Sequence, residues 1–451
     1  MKIQKNVSTC LLGLLLPTAL FAQNAETKQW TLQNCIDYAL AHNVTLAKSR
    51  TTEQSAAVDV AEAKAGRLPG LTAAISQAVT YRPFQSSGGN YVNGGIATSA
   101  ADKTMQSGSY GVNAQWVVWN GGKTRMNITH ANYSQQLAAY DTQTAANAIK
   151  EQIAQLYIQI LYMTEAEKVN RTLLQQDSVI CSRGQELVSV GNMAQADLAQ
   201  LEAQVSQGQY DVVNIQTQIA DAKMQLKQLI ELPANEDFNI SPIDVAEAQV
   251  MSDLPTKEYV FEAALGSRPE IKRSTLAIEQ SKLNTRIAKS AYYPTVSLTG
   301  SVGDSHVTGG KQNYFTQMKN NFNTQLGISV SIPIFDNRKN KSAVERAKLA
   351  ETTAQLDLQN TQKQLWQTVE TYWLNATNSR AKYVAARQNV NSLLTSYELM
   401  TEQFNLGLKN IAELLTNRSN LLTAQQQMLQ DKYTALLNRK LLGFYAGEAW
   451  Q

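Results

Sequence analysis

The sequence predicts a mainly α-helical chain, written twice over, that contributes four β-strands to a membrane barrel. Three observations predict it. The chain repeats itself in register. Two stretches run for scores of residues without glycine or proline. Four short segments of alternating apolarity sit in pairs just ahead of those stretches.

Repetition is the firmest of the three, because a duplicated sequence implies a duplicated unit of structure. ALAHNVTLAKSR from Ala39 aligns with ALGSRPEIKRST from Ala264, an offset of 225 that also carries Pro69 onto Pro294. After the hairpins the offset becomes 216. It takes Trp119-Asn120 to Phe335-Asp336, Gly191 to Gly407, and Ala196-Asp197-Leu198 to Ala412-Glu413-Leu414. The change falls between two strands, where a loop can lengthen without disturbing the frame.

In chain order, residues 1–23 read as a removable secretory leader. Lys2 and Lys5 precede the apolar core LLGLLLPTALF, and Ala22 offers a small cleavage residue. Cys10 lies ahead of that core, which argues against lipidation there. The first repeat is expected over 24–232, with one helix from Thr31 to just before Pro69 and a hairpin over 71–119 (strands 71–82 and 109–119). A long helix over 120–190 and a helix over 194–232 complete it. A proline-punctuated connector over 233–256 leads to the second repeat at 257–446. That repeat has one helix over about 256–293, a hairpin over 295–335 (strands 295–303 and 323–335), a long helix over 337–406 and a helix over 410–446. A tail over 447–451 ends the chain. The hairpin loops are long and rich in Gly, Ser and Asn, as in QSSGGNYVNGG, whose SSGGNYVNGG reads as a flexible surface loop.

The long helices, of about 60 to 70 residues, would reach on the order of 90 to 105 Å. No ordinary globular core is that long, so partner helices must line them. Ile149, Ile153, Leu156, Ile160 and Met163 step by four and three. So do Leu198, Leu201 and Val205, and, in the second copy, Leu365, Val369, Tyr372 and Ala376. Leu414, Leu421, Ala424 and Met428 follow in the last helix, where Asn417 and Asp431 interrupt the seam.

The strands carry the membrane argument. Ile328, Val330, Ile332 and Ile334 alternate with Ser329, Ser331 and Pro333, whereas Gln77 intrudes on the apolar side of the first strand. Strands of nine to twelve residues have the length of tilted transmembrane strands, about 9 to 11 residues. Trp116, Trp119, Tyr292, Tyr293 and Phe335 gather at their ends, as an aromatic belt at a membrane interface would. Four strands cannot close a barrel, and an open edge in lipid leaves backbone groups unpaired. Two chains would give eight strands and a filled interior; three give twelve and a lumen, so a homotrimer is expected.

Composition and motifs exclude other classes. The 451 residues carry a formal charge of +3, near +1 once the leader's two lysines are removed, too even for a nucleic-acid partner. No later segment offers about 18 consecutive apolar residues, so membrane helices are excluded. His42, His130 and His306 are scattered, and Cys35 and Cys181 lie far apart with no metal spacing. VWNGGKT lacks the spacing of a phosphate loop. We therefore expect no catalysis, no cofactor and no metal, and nothing in the spacing argues for a disulfide.

WTLQNCIDYALAHN after the leader, the exits VVWNGGKT and IPIFDNRKN, and the paired turns VGNMAQADL and LGLKNIAEL complete the pattern. Over its whole mature length the chain resembles the TolC-type outer-membrane efflux factors, the outlet ducts of tripartite drug pumps and type I secretion systems. The resemblance implies a trimer with a twelve-stranded barrel and a twelve-helix tunnel crossing the periplasm. It also implies passive export of small molecules such as drugs, a periplasmic adaptor (membrane fusion protein) and an inner-membrane transporter of RND or ABC type.

By the same resemblance, Gly191, Asn192, Gly407 and Leu408 form the tips that dock the adaptor. Asp197 and Glu413 ring the narrowed entrance, and Lys409 belongs to the links that keep it shut. Phe404 stands where the family often has tyrosine, and Thr416 replaces a possible second acid, so the usual latch is altered. The alternative is a trimeric, barrel-anchored coiled-coil protein or adhesin, although such proteins rarely fold back with paired helices at each tip.

Overall fold

The computed structural model describes residues 29–81, 83–84, 90–92, 95–97, 103–242, 247–308 and 312–450. The expected leader at 1–23, Cys10 within it, and the greater part of the QSSGGNYVNGG loop lie outside the described residues.

The first copy begins with β1 (Gln29–Trp30), α1 (Leu32–His42) and α2 (Val44–Ala65). The strands β2 (Gly70–Tyr81), β3 (Asn90–Val92), β4 (Gly95–Ala97) and β5 (Thr104–Trp119) follow, then α3 (Lys123–Ser189) and α4 (Gln195–Leu229). The connector holds β6 (Asn239–Ile240) and α5 (Glu247–Met251). The second copy has α6 (Lys257–Ser267), α7 (Pro269–Ser290), β7 (Thr295–Val307), α8 (Tyr314–Asn321), β8 (Asn323–Ser331), α9 (Lys339–Asn405) and α10 (Ile411–Tyr445). The bounds of α3 and α4 fall on those of α9 and α10 at the offset of 216.

Each copy was expected to open on one unbroken helix, and in both the helix is broken. Asn43 and Arg268, equivalent at the offset of 225, adopt extended backbone with ψ of 124° and 130°. Asn43 stops α1 and caps α2, its Oδ1 accepting from the Leu46 amide at 3.1 Å while its Nδ2 donates to the Leu229 carbonyl at 2.9 Å. At the second break Pro269 takes the first helical position, and proline disfavours helical backbone in the residue before it. Arg268 is held by Glu270 at 2.7 Å and Glu151 at 3.3 Å, with its guanidinium over the Tyr445 ring. Thr31 and Thr256 cap the preceding helices in matching fashion, each hydroxyl accepting from the amide three residues on.

α3 and α9, 67 residues each, are about 100 Å long. α2 and α7 pack along their first parts, and α4 and α10 fold back along the rest, so no stretch of either long helix lacks a neighbour. The main core lies where α1, α3, α4 and α10 meet the connector. There Tyr157, fully buried, donates to the Trp30 and Ser241 carbonyls. The connector is less irregular than expected, because β6 pairs in parallel with β1. Cys35 and Cys181 are buried, unpaired and in separate clusters.

Strands β2, β5, β7 and β8 form one antiparallel sheet in that order. The last strand stops at Ser331 rather than Phe335, since Pro333 supplies no amide to the ladder. The loop between β7 and β8 contains α8. Residues paired across strands point to the same side, so the register sorts the sheet into two faces. One carries Leu71, Ala73, Ile75 and Val79, then Trp116, Ala114 and Val112, then Val296, Leu298 and Val302, then Val330, Ile328 and Leu326. The other carries Thr72 and Ser76, Asn113 and Gln115, Ser297, Thr299 and Ser301, and Gln325 and Ser329. No charged residue stands on that second face among the described strands.

Strands pass to helices through a repeated left-handed turn. Gly121 and Gly122 have φ of 65° and 79°, and the equivalent Asn337 and Arg338 have 51° and 67°. Asn120 and Asp336, also equivalent, cap the helices that follow, accepting from the amides of Thr124 and Asn340.

Candidate functional site

The two helical hairpins reverse at the end of the molecule farthest from the sheet. Helix α3 closes with the Gly191 amide donating to Val188 at 3.0 Å and the Asn192 amide to Leu187 at 2.8 Å. Helix α9 repeats the pattern, Gly407 to Phe404 and Leu408 to Gln403, each at 2.9 Å. This paired bonding uses a residue of positive φ to satisfy the last carbonyls, and Gly191 and Gly407 supply it at 79° and 75°. A Cβ at either glycine would meet nothing within 4 Å. Around the turns Val190, Leu406 and Leu408 are exposed, an apolar tip on a polar rod.

Beyond the turns the copies diverge. Asn410 caps α10, accepting from the Glu413 amide at 2.9 Å while its own amide group donates to Glu413 Oε1 at 2.9 Å. The Lys409 ammonium lies 2.5 Å from Glu413 Oε2. A carboxylate in the first turn also suits the positive end of the helix dipole. In the first copy Ala194 takes the cap position without a side-chain bond. Asp197 is half-buried, and its carboxylate has no hydrogen-bonding or ionic partner among the described residues. The structure thus joins Lys409 to Glu413 within one turn of helix and leaves Asp197 apart from both. The Asn410–Glu413 cap was legible as a polar residue followed at three by a glutamate, yet it escaped the sequence reading.

Phe404 is buried against the tip cluster of Tyr397, Ile411 and Leu414, so its ring packs where a tyrosine would have needed a hydrogen-bond partner. Above the turns, a groove of about 730 Å³ between α3 and α9 is lined by Val179, Arg183, Leu394, Glu398 and Glu402. Deeper between the hairpins, Arg418 of α10 grips Asp177 of α3, Nη2 lying 2.6 Å from Oδ2 and Nε donating to Oδ1 at 3.1 Å. Burial pushes the Asp177 carboxyl up, against the pull of Arg418. Nothing local announces this contact, whose partners stand 241 residues apart.

The aromatic residues expected at the membrane interface are at the other end. Trp116 donates its indole N–H to the Arg67 carbonyl at 2.7 Å, and Trp119 meets Tyr293 edge to face with ring centres 6.3 Å apart. Tyr292 and Phe335 are exposed beside the same sheet-to-helix junction.

The model of the outer membrane efflux protein family matches residues 35–231 and 260–448, one block in each copy. Outer membrane protein TolC of Escherichia coli K12 is 23% identical over 439 residues, which cover 95% of this chain and 84% of that protein. The match to TolC of Salmonella enteritidis, 22% identical, takes in 57% of this chain and about half (52%) of that protein. The cation efflux system protein CusC of Escherichia coli O6:H1 is 23% identical, covering 84% of this chain and 80% of that one. Among solved structures, CusC superposes with a TM-score of 0.77 at 16% identity, covering 93% of this chain and 92% of that one. The outer membrane protein VceC of Vibrio cholerae gives 0.76 at 18%, covering 93% and 97%. At such identities the structures speak for the fold.

Proposed function

The chain belongs to the outer membrane efflux protein family, as a channel of the outer membrane, and from that premise we propose that three copies close one trans-periplasmic duct. The four-stranded sheet supports this reading above all. Its outer strands β2 and β8 each keep one edge unpaired among the described residues, while one face is apolar and the other polar and uncharged. In a bilayer such edges demand neighbours, and three sheets supply a twelve-stranded wall with a water-filled lumen. A lumen mostly of Ser, Thr, Asn, Gln and Gly, with no charge and only scattered apolar residues such as Ala74 and Val117, passes small solutes, drugs among them, without sorting them.

Sorting and docking then fall to the tips. Three-fold symmetry turns Asp197 and Glu413 into rings of carboxylates that favour cations. Lys409, bound to Glu413, offsets part of that charge. The exposed turns at Gly191, Asn192, Gly407 and Leu408 meet a periplasmic adaptor that an inner-membrane transporter of RND or ABC type engages. Trp116, Trp119, Tyr292, Tyr293 and Phe335 mark the periplasmic interface of the membrane.

Purified protein should cross-link as a trimer and conduct ions in planar bilayers, with cations preferred. Asp197→Asn with Glu413→Gln should lower that preference several-fold without lowering trimer yield. A stable monomer, or a trimer that conducts nothing even when both carboxylates are neutralised, would sink the reading.

A further inference from the structure

We propose that the outer rim of the sheet holds a binding site for a neutral saccharide, built where α8 folds over β5 and β7 on the membrane-facing side. The proposal rests on the membrane-spanning reading of the sheet. On β7 the apolar face begins at Val296, and His306 lies on the same face ten residues further on. Ten residues span about 33 Å along a strand, or about 25 Å across the membrane at a usual tilt, the height of a barrel's apolar band. His306 therefore stands at the outer interface, where lipid gives way to head groups.

At that height the apolar face changes character. Gln77, the one intruder in the first strand, hydrogen-bonds the Tyr110 hydroxyl, and Gln106 and His306 share the same face. Gly108 sits opposite His306, and a Cβ there would strike the imidazole. Helix α8 is pinned above them. Gln317 accepts from the Val307 amide at 2.8 Å and donates to its carbonyl at 2.9 Å, and Asn321 donates to the Ser305 carbonyl at 2.6 Å. The result is a cleft of about 540 Å³ lined by Gln77, Gln106, Tyr110, His306, Gln312 and Tyr314, together with the backbone that Gln317 staples.

The lining dictates the class of ligand. No Lys or Arg lines it among the described residues, so phosphate and carboxylate find no counter-charge, and the nearest acid, Asp304 opposite Tyr110, stands outside the lining. His306, 7% exposed, lies parallel to Tyr110 with ring centres 5.9 Å apart and edge-on to Tyr314 at 4.7 Å. Its Nδ1 is buried against Gly108 without a hydrogen-bond partner among the described residues, a costly state. Aromatic faces suit the C–H face of a sugar ring. Amides and phenols, which donate and accept, suit its hydroxyl edge. The sugar could arrive as the head group of an outer-leaflet glycolipid or as a free surface glycan.

The test presents the intact trimer, in a zwitterionic detergent free of sugar, to an array of immobilised neutral and acidic glycans. We expect binding to at least one neutral glycan, weakened about tenfold or more by Tyr314→Ala and by Gln106→Leu. The second variant removes only an exposed amide, so loss of fold is not at issue. Both variants should conduct as the parent does, which separates this proposal from the channel reading. No neutral glycan bound, acidic glycans alone bound, or variants binding as the parent does would overturn it. Native mass spectrometry with an added neutral glycolipid then distinguishes the sources. Glycolipid that free oligosaccharide cannot displace places the sugar in the membrane, and displacement extends the site to soluble glycans.

Discussion

Replacing Arg418 with alanine should cost about 3 to 5 kcal/mol, the largest stability loss expected of any single exchange near the tips. The pair it breaks joins the two hairpins. Asp177 belongs to α3 and Arg418 to α10, their side chains are 5% and 6% exposed, and Gln204 of α4 also reaches the carboxylate. Removing the guanidinium strands a carboxylate that water cannot reach. The sign of its pH dependence follows from burial, which holds the Asp177 carboxyl above its ordinary value despite the arginine. A group held more tightly protonated in the fold contributes stability below its unfolded pKa and loses it as pH rises through its folded pKa. Acidification should therefore not loosen this site, since the folded carboxyl takes up its proton before the unfolded one, near 3.9, does. The loss from Arg418→Ala should shrink as pH falls and Asp177 takes up a proton. Replacing both partners at once, Asp177→Leu with Arg418→Met, should be neutral or stabilising, because the pair spends much of its attraction on desolvation. Guanidinium-induced loss of the helical circular dichroism signal, followed from pH 4 to 8, checks all four. A single mutant as stable as the parent would show that the pair is wet in the assembled protein.

The contact also marks where sequence reading stops. Helices α3, α4, α9 and α10 were legible because periodic apolar seams and the absence of glycine and proline are local signals repeated many times over. Gly191 and Gly407 were legible because a positive φ at a helix end leaves few choices of residue. The break at Arg268 carried a local signal, Pro269, which the long apolar rhythm on either side outweighed. The break at Asn43 carried a weaker one, a good cap inside a run that helix propensity alone would carry through. Gln77 was noticed as a flaw in an apolar face, but its reason, the cluster under α8, needs three strands and a loop to be in register. Asp177 and Arg418 each read as an ordinary helix charge, and only the packing of one hairpin on the other turns them into a pair.

The tips supply the second large effect. Gly407→Trp should abolish efflux while leaving trimer assembly and bilayer conductance in place. The turn itself predicts how to separate the causes. Nothing lies within 4 Å of a Cβ at Gly407, so the first atom of a side chain there has open space around it. What remains is the left-handed backbone, φ 75°, which costs an ordinary L-residue about 1 to 2 kcal/mol and asparagine less. That cost is nearly the same for alanine as for tryptophan, whereas the bulk offered to a docking partner is not. If the exposed turn, flanked by Leu406 and Leu408, is a docking surface, then Gly407→Ala and Gly407→Asn should retain most export of a pumped dye and Gly407→Trp should lose it. If alanine fails as badly as tryptophan, the glycine matters for the geometry of the turn and the partner lies elsewhere. If tryptophan exports as well as the parent, the adaptor does not touch this turn.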